Sequence, residues 1–267
     1  MNNTPVVIVT GASRGLGAAV AHWLGKAAAA VTLVARSEEK LNETADKVRR
    51  LGGESLVCKA DVSQYDACRT AVDKTLDRFG RIDAVVNNAA IVQPISAVAQ
   101  TDPADWRYNL EVNLLGPFNL IRASADALRR QKGRVVNVSS GAANLALESM
   151  SAYCTGKAAL NHFTRVLAVE EPELTALTVR PGVVDTDMQT YIRQEGPQAM
   201  PSGQADFYRQ LKVRGELEPA EIPARSIAWL GLYAPREFSG KFLDYDDPLI
   251  CGPALKVFGE RVTDGAE

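Results

Sequence analysis

The sequence predicts an α/β fold: a single domain holding one doubly wound parallel sheet of about seven strands, with helices on both faces. Three observations point there. Short valine-rich apolar runs alternate with longer helical patterns along most of the chain. The runs are apolar throughout rather than alternating, as strands covered on both faces require. No repeat, low-complexity tract or linker interrupts the 267 residues, a length that suits one core.

The elements follow in order. "PVVIVTG" (5–11) reads as a strand and "GLGAAVAHWLGKA" as its helix. "AVTLVAR" (30–36) is a second strand, followed by the charged amphipathic helix "SEEKLNETADKVRRLG". "ESLVCKADV" (54–62) and "QYDACRTAVDKTLDRFG" repeat the unit. "IDAVVNNAA" (82–90) precedes one long helix over about 103–131. "GRVVNVSS" (133–140) leads to a helix carrying Tyr153 and Lys157, and "LTALTVRPG" (174–182) is the sixth strand. "GKFLDYDD" (240–247) is the candidate seventh. The long mixed stretch at about 185–215, broken by Gly196-Pro197, Pro201 and Gly203, has the length of a substrate lid. The end, "GERVTDGAE" (259–267), reads as frayed and polar.

Composition narrows the function classes. A net charge of −2 gives no nucleic-acid footprint. Apolar stretches fall short of the roughly 18 residues of a membrane span. The first residues enter a strand at once, without the pattern of a secretory signal. Cys58, Cys68, Cys154 and Cys251 have neither metal-site spacing nor the density of a disulfide framework. They read as free thiols of a reducing cytoplasm. Two histidines, His22 and His162, make a histidine metal site or a Ser-His-Asp triad a poor expectation, and no metal site is expected.

The turn "TGASRGLG" (10–17) follows the first strand and opens the first helix. Gly11, Gly15 and Gly17 let backbone N–H groups approach a pyrophosphate at the positive helix end. At the end of the second strand stand Arg36 and Ser37, where an NAD site usually has an acid. Arg36 and Arg14 are guanidinium groups suited to a 2′-phosphate, which favours NADP(H). Asp61 is a candidate acceptor for an adenine amino group, or else a turn residue. Tyr153 and Lys157 are one helical turn apart. A cation beside a phenol lowers the phenol's pKa, so the pair reads as a tuned proton donor or as a surface accident.

With Ser140 thirteen residues before Tyr153, the chain resembles the short-chain dehydrogenase/reductases over about residues 5–245. The pieces are "TGASRGLG", "ADV" (60–62), "NNAA" (87–90), Asn113 in "VNLLGPF", "VNVSS" (136–140), "YCTGK" (153–157) and "RPG" (180–182). The resemblance implies a Rossmann-type domain and hydride transfer between a nicotinamide and a carbonyl or alcohol. It makes Tyr153 the proton donor, Lys157 its tuner and the holder of the ribose, Ser140 the stabiliser of the substrate oxygen, and Asn113 the holder of a relay water. It assigns cofactor binding to Gly11, Ser13, Arg14, Gly15, Leu16, Gly17, Arg36, Ser37, Asp61, Val62, Asn88 and Ala89. Tyr153, Lys157, Pro181, Gly182, Val183 and Thr186 complete that set.

Two departures stand out: Ala90 replaces the glycine of the usual "NNAG", and Ala28 sits where the first helix normally ends at glycine. The tail, "DTDMQ", "LKVRGELEP" and "SGKFLDYDD", resembles sepiapterin reductase and the benzil-type diketone reductases. That implies a small ketone or dicarbonyl substrate, with Leu147, Met188, Tyr191 and Asp244 as substrate contacts. Action on 3-oxoacyl thioesters or secondary alcohols, and a non-catalytic NADP(H)-binding sensor, stay open. By the same resemblance a homodimer or homotetramer forms over the long helix and the Tyr153 helix.

Overall fold

The structure, a computed structural model, describes residues 4–262; the last five residues of the predicted polar end lie outside them. The strands are β1 (Val6–Thr10), β2 (Ala30–Ala35), β3 (Glu54–Lys59), β4 (Ala84–Asn87), β5 (Arg134–Val138), β6 (Thr175–Arg180) and β7 (Phe242–Asp244). They form one seven-stranded sheet in the order β3-β2-β1-β4-β5-β6-β7, parallel throughout. The order reverses between β1 and β4. That switch point opens a crevice beyond the carboxyl ends of the strands.

The helices are α1 (Gly15–Lys26), α2 (Glu38–Arg50), α3 (Tyr65–Phe79), α4 (Pro103–Leu110), α5 (Gly116–Gln131), α6 (Ser151–Glu170), α7 (Asp187–Glu195), α8 (Ser202–Val213), α9 (Glu221–Tyr233) and α10 (Pro248–Phe258). The sheet's alternation sorts them into layers. Val7, Val9, Leu33, Val86 and Val136 face α1, α2, α9 and α10. Ile8, Val34, Val85, Val135 and Ala176 face α3, α5 and α6. Both faces are dry, as the apolar strands require. A third apolar cluster lies off the sheet, where α7 and α8 fold against Val92, Met150 and Tyr153.

The predicted long helix is broken. Between α4 and α5 runs a π-helical turn, Glu111–Leu115. Its cause is Pro117: a proline has no N–H for the carbonyl four residues back, and its ring crowds that carbonyl. The residue four back is Asn113. A single π turn is a common mark of a functional position.

A buried polar chain fixes α6 on the sheet. Asn87 donates to Asn137 at 2.7 Å, Asn137 donates to Thr164 at 2.9 Å, and Thr164 donates to the Leu160 carbonyl at 2.7 Å. Every link is buried, so truncating one leaves a polar partner unsatisfied.

Ala28 adopts φ 53° just past α1, the left-handed conformation that favours glycine. Ala90 keeps an ordinary φ, since the non-glycine residues at positive φ among the described residues are Ala28, Lys132 and Ser149. Ala28→Gly is expected to stabilise the fold by about 1 kcal/mol, seen as a rise in Tm of about 2 °C. A lower Tm would contradict strain at this position.

Candidate active site

The site is one cleft of ≈ 1810 Å³ along the carboxyl ends of the strands. At one end lies the glycine turn. Gly11 and Gly15 have φ 65° and 53°, so both use the freedom that only glycine has cheaply. Gly17 has a different task. A Cβ there would lie 2.3 Å from the Gly11 carbonyl oxygen and 2.4 Å from Asn88 Nδ2. Gly17 therefore brings α1 against β1 and does not line the cleft. Asn88 Nδ2 donates to the Thr10 carbonyl at 3.0 Å, and Thr10 Oγ1 accepts from the Asn88 and Ala89 amides at 3.0 Å each. The two strand ends at the switch point are thus tied together.

Ser13, Arg14, Leu16, Arg36, Ser37, Asp61, Val62, Asn88 and Ala89 all line this end. Lys40 lines it too, a cation that the sequence reading missed although it stands one turn beyond Ser37. Arg36 donates to the Tyr108 hydroxyl at 3.1 Å. Arg14 is occupied otherwise than expected: it pairs across the cleft with Asp187 of α7 at 3.0 Å, both side chains exposed. Asp61 Oδ1 accepts from the Ser63 amide at 3.0 Å and the Ser63 hydroxyl at 2.8 Å, so it shapes a turn while lining the cleft.

At the other end, β5 and α6 bring Ser140, Tyr153 and Lys157 to one wall. Ser140 is the N-cap of a short 3-10 turn and accepts from the Ala142 amide at 3.1 Å. Tyr153 and Lys157 share a face of α6, with the ammonium 5.7 Å from the ring centroid. Lys157 Nζ donates to the Val138 carbonyl at 2.8 Å. Burial pushes Tyr153 up to about 12, opposed by a hydrogen bond with Ser140. Burial also pushes Lys157 down to about 8. The expected lowering of the phenol's pKa by the lysine is not what the structure has, because desolvation of two buried side chains dominates.

Pro181, Gly182, Val183 and Thr186, after β6, continue the lining, and so do Leu147, Met188 and Tyr191. Besides Gly17, two predicted residues are elsewhere. Asn113 is fully buried: its Nδ2 donates to the Ile91 carbonyl and to Asn109 Oδ1, each at 2.7 Å, and its Oδ1 accepts from the Ile91 amide at 3.0 Å. Its side chain holds the 91–93 segment that edges the cleft, with Asn109 donating to the Gln93 carbonyl at 2.6 Å. Asp244 is not part of the lining. It faces Arg180 across the β6–β7 pairing and accepts both guanidinium hydrogen bonds at 2.6 Å. A carboxylate held bidentately has little to offer a substrate.

A doubly wound parallel sheet, a glycine turn at its switch point and a Ser-Tyr-Lys wall across the same cleft define the class: oxidoreductases that use a nicotinamide dinucleotide. The family model for short chain dehydrogenase matches residues 5–197. The chain therefore belongs to the short-chain dehydrogenase/reductase family. It is 32% identical over 255 residues to a benzil reductase ((S)-benzoin forming) of Saccharomyces cerevisiae, covering 91% of this chain and 96% of the relative. A short chain dehydrogenase/reductase crystal structure from the same yeast superposes with a TM-score of 0.88 at 34% identity, covering 93% of this chain and 98% of that one. An alcohol dehydrogenase from Thermococcus sibiricus, solved with 5-hydroxy-NADP, gives 0.76 at 26% identity, covering 92% and 99%.

Among the described residues no helix is long and apolar enough to cross a membrane, and no cluster of ligating side chains suits a metal ion. The four cysteines are free.

Proposed function

We propose that this chain is an NADPH-dependent reductase of small ketones and vicinal dicarbonyls. The observation that carries the reading is the wall of Ser140, Tyr153 and Lys157 on a cleft whose far end combines the glycine turn with Arg36 and Lys40. The turn fits a dinucleotide: Gly11 and Gly15 line the cleft at positive φ, beside the start of α1, where side-chain-free backbone can approach a pyrophosphate.

Gly11, Gly15 and the start of α1 would hold the pyrophosphate. Arg36, Ser37 and Lys40 would hold a 2′-phosphate, because two cations and a hydroxyl suit a dianion better than a ribose hydroxyl. Lys157 would hold the nicotinamide ribose. When bound, the reduced cofactor supplies a hydride. Tyr153 gives its phenolic proton to the carbonyl oxygen as negative charge develops there, and Ser140 donates a hydrogen bond to the same oxygen. The C=O π pair becomes the new O–H bond, and the product is an alcohol. A phenol held near 12 keeps its proton until that charge appears, so the pocket suits reduction better than oxidation at neutral pH.

Pro117 gives Asn113's carbonyl no α-helical donor, which supports the relay water at that position. The dicarbonyl preference is supported by the benzil reductase likeness and by the apolar cluster beneath α7 and α8. Exposed Leu115 and Phe118 on the 103–131 stretch, with Val166 and Val169 on α6, support self-association over these two helices.

The test is NADPH oxidation against benzil, simple 1,2-diketones, acetoacetyl thioesters and secondary alcohols with NADP+. Fastest turnover is expected with the diketones. NADPH binding without turnover of any carbonyl would leave the non-catalytic sensor instead. Arg36→Ala is expected to weaken NADPH by about 10- to 100-fold, the loss of charge-assisted hydrogen bonds, and NADH by less than about threefold. Equal losses for both cofactors would remove the 2′-phosphate argument.

A further inference from the structure

We propose that the Tyr208 hydroxyl is a donor reserved for a second substrate oxygen, adjacent to the carbonyl that Tyr153 protonates. The inference rests on the reductase reading above and names what the pocket selects. Tyr208 lies on α8 and lines the cleft with Tyr153 and Ser140. It is 7% exposed, and its ring is fixed edge-on against Phe207 at a centroid separation of 5.5 Å. Its hydroxyl meets Met150 Sδ at 3.8 Å. A thioether is a weak acceptor, and buried phenols usually find a good one. The donor is therefore underused, and it belongs to the same apolar cluster as Tyr153 and Met150.

Its position follows from Met150. That residue is the N-cap of α6, three residues before Tyr153, so the partner of one phenol sits on the same helix end as the other. Tyr208 disfavours charge on Tyr153, as a hydroxyl in the same pocket does. Around them the walls are apolar: Val92, Ile95, Leu147, Met188, Tyr191 and Phe207.

A ligand matching this arrangement has two oxygens on neighbouring carbons and apolar arms. A vicinal diketone meets both conditions. One oxygen takes the Tyr153 and Ser140 hydrogen bonds. The other replaces the thioether as acceptor of the Tyr208 hydrogen bond, a stronger contact. That second hydrogen bond also draws electron density from the adjacent carbon and makes it a better hydride acceptor. A monoketone leaves Tyr208 on Met150 and gains nothing from it. Tyr208 thus acts as a positioning and specificity residue.

The experiment compares wild type with Tyr208→Phe on 1-phenyl-1,2-propanedione and on two monoketones, propiophenone and phenylacetone, each lacking one of its oxygens. The diketone-to-monoketone ratio of kcat/KM is expected to fall about tenfold or more, chiefly through KM. Calorimetric affinity of the diketone for the NADP+ complex should fall by a similar factor, with Tm and NADPH affinity retained. Met150→Leu removes the thioether while leaving the hydroxyl, and its ratio should equal or exceed that of wild type. An unchanged ratio in Tyr208→Phe, or equal losses on both ketone classes, overturns the inference and leaves the reductase reading intact. A wild-type protein that reduces neither class overturns both.

Discussion

Replacing Tyr153 by phenylalanine is expected to cut carbonyl reduction by about a thousandfold or more, while NADPH affinity stays within about twofold. The size of the effect follows from the chemistry. A positioned general acid contributes about 10² to 10⁴ in rate, and the hydroxyl alone carries the proton. Phenylalanine keeps the ring in its apolar cluster with Met150 and Ile192, so the fold has little reason to respond. Ser140 would lose the phenol that it now hydrogen-bonds, but it keeps its bond from the Ala142 amide. Turnover persisting in the variant would contradict the assigned acid.

The pH profile reports the lysine instead. With Tyr153 held up to about 12, the acid stays protonated throughout the working range. Lys157, pushed down to about 8, is the group that changes. It is charged below that pH and neutral above it. The kcat/KM for NADPH, which reports the free enzyme, should therefore be flat below about 8 and decline above it. A decline setting in only near 10 would mean that Lys157 is not desolvated as the structure has it.

The second large effect concerns Gly17. Gly17→Ala puts a methyl group 2.3 Å from the Gly11 carbonyl oxygen and 2.8 Å from its carbon. Neither atom belongs to a flexible side chain. Relief requires α1 to move off β1, and with it the turn that would hold the pyrophosphate. Overpacking of a tight core costs about 1–3 kcal/mol; here backbone meets the methyl, so about 3 kcal/mol is expected. A loss of NADPH affinity of at least about 100-fold should accompany it. Gly203→Ala in α8 is the control, because its Cβ would meet nothing within 4 Å. It should be neutral or slightly stabilising. A Gly17→Ala protein with wild-type Tm and NADPH binding would refute the packing role.

Six of the strands were legible as runs rich in apolar residues, bordered by charged helices or glycine turns, and the three-residue β7 only as a candidate. Their ends were not. The run at 82–90 shrinks to Ala84–Asn87, since Asn88 leaves the ladder to bond Thr10 and Gly11. α9 escaped the reading because it is buried nearly all round and has no polar face to set a period. The break at Asn113 is encoded in Pro117, one turn ahead. Asp244 misled because its partner is 64 positions away and becomes a neighbour only through β6–β7 pairing. The partner of the Tyr208 hydroxyl was hidden for the same reason: Met150 lies 58 positions off. The elevated Tyr153 pKa reflects burial, which no local spacing encodes.

The apolar cluster beneath α7 and α8 shares no member with the two that sandwich the sheet. Selection can therefore retool recognition at Val92, Leu147, Tyr191 or Tyr208 without eroding the foundation on which the dinucleotide would rest. Such a separation makes the chain tolerant of trial substitutions where chemistry is chosen and intolerant where it is powered. A mutational library confined to those walls should yield mostly folded proteins with altered appetites.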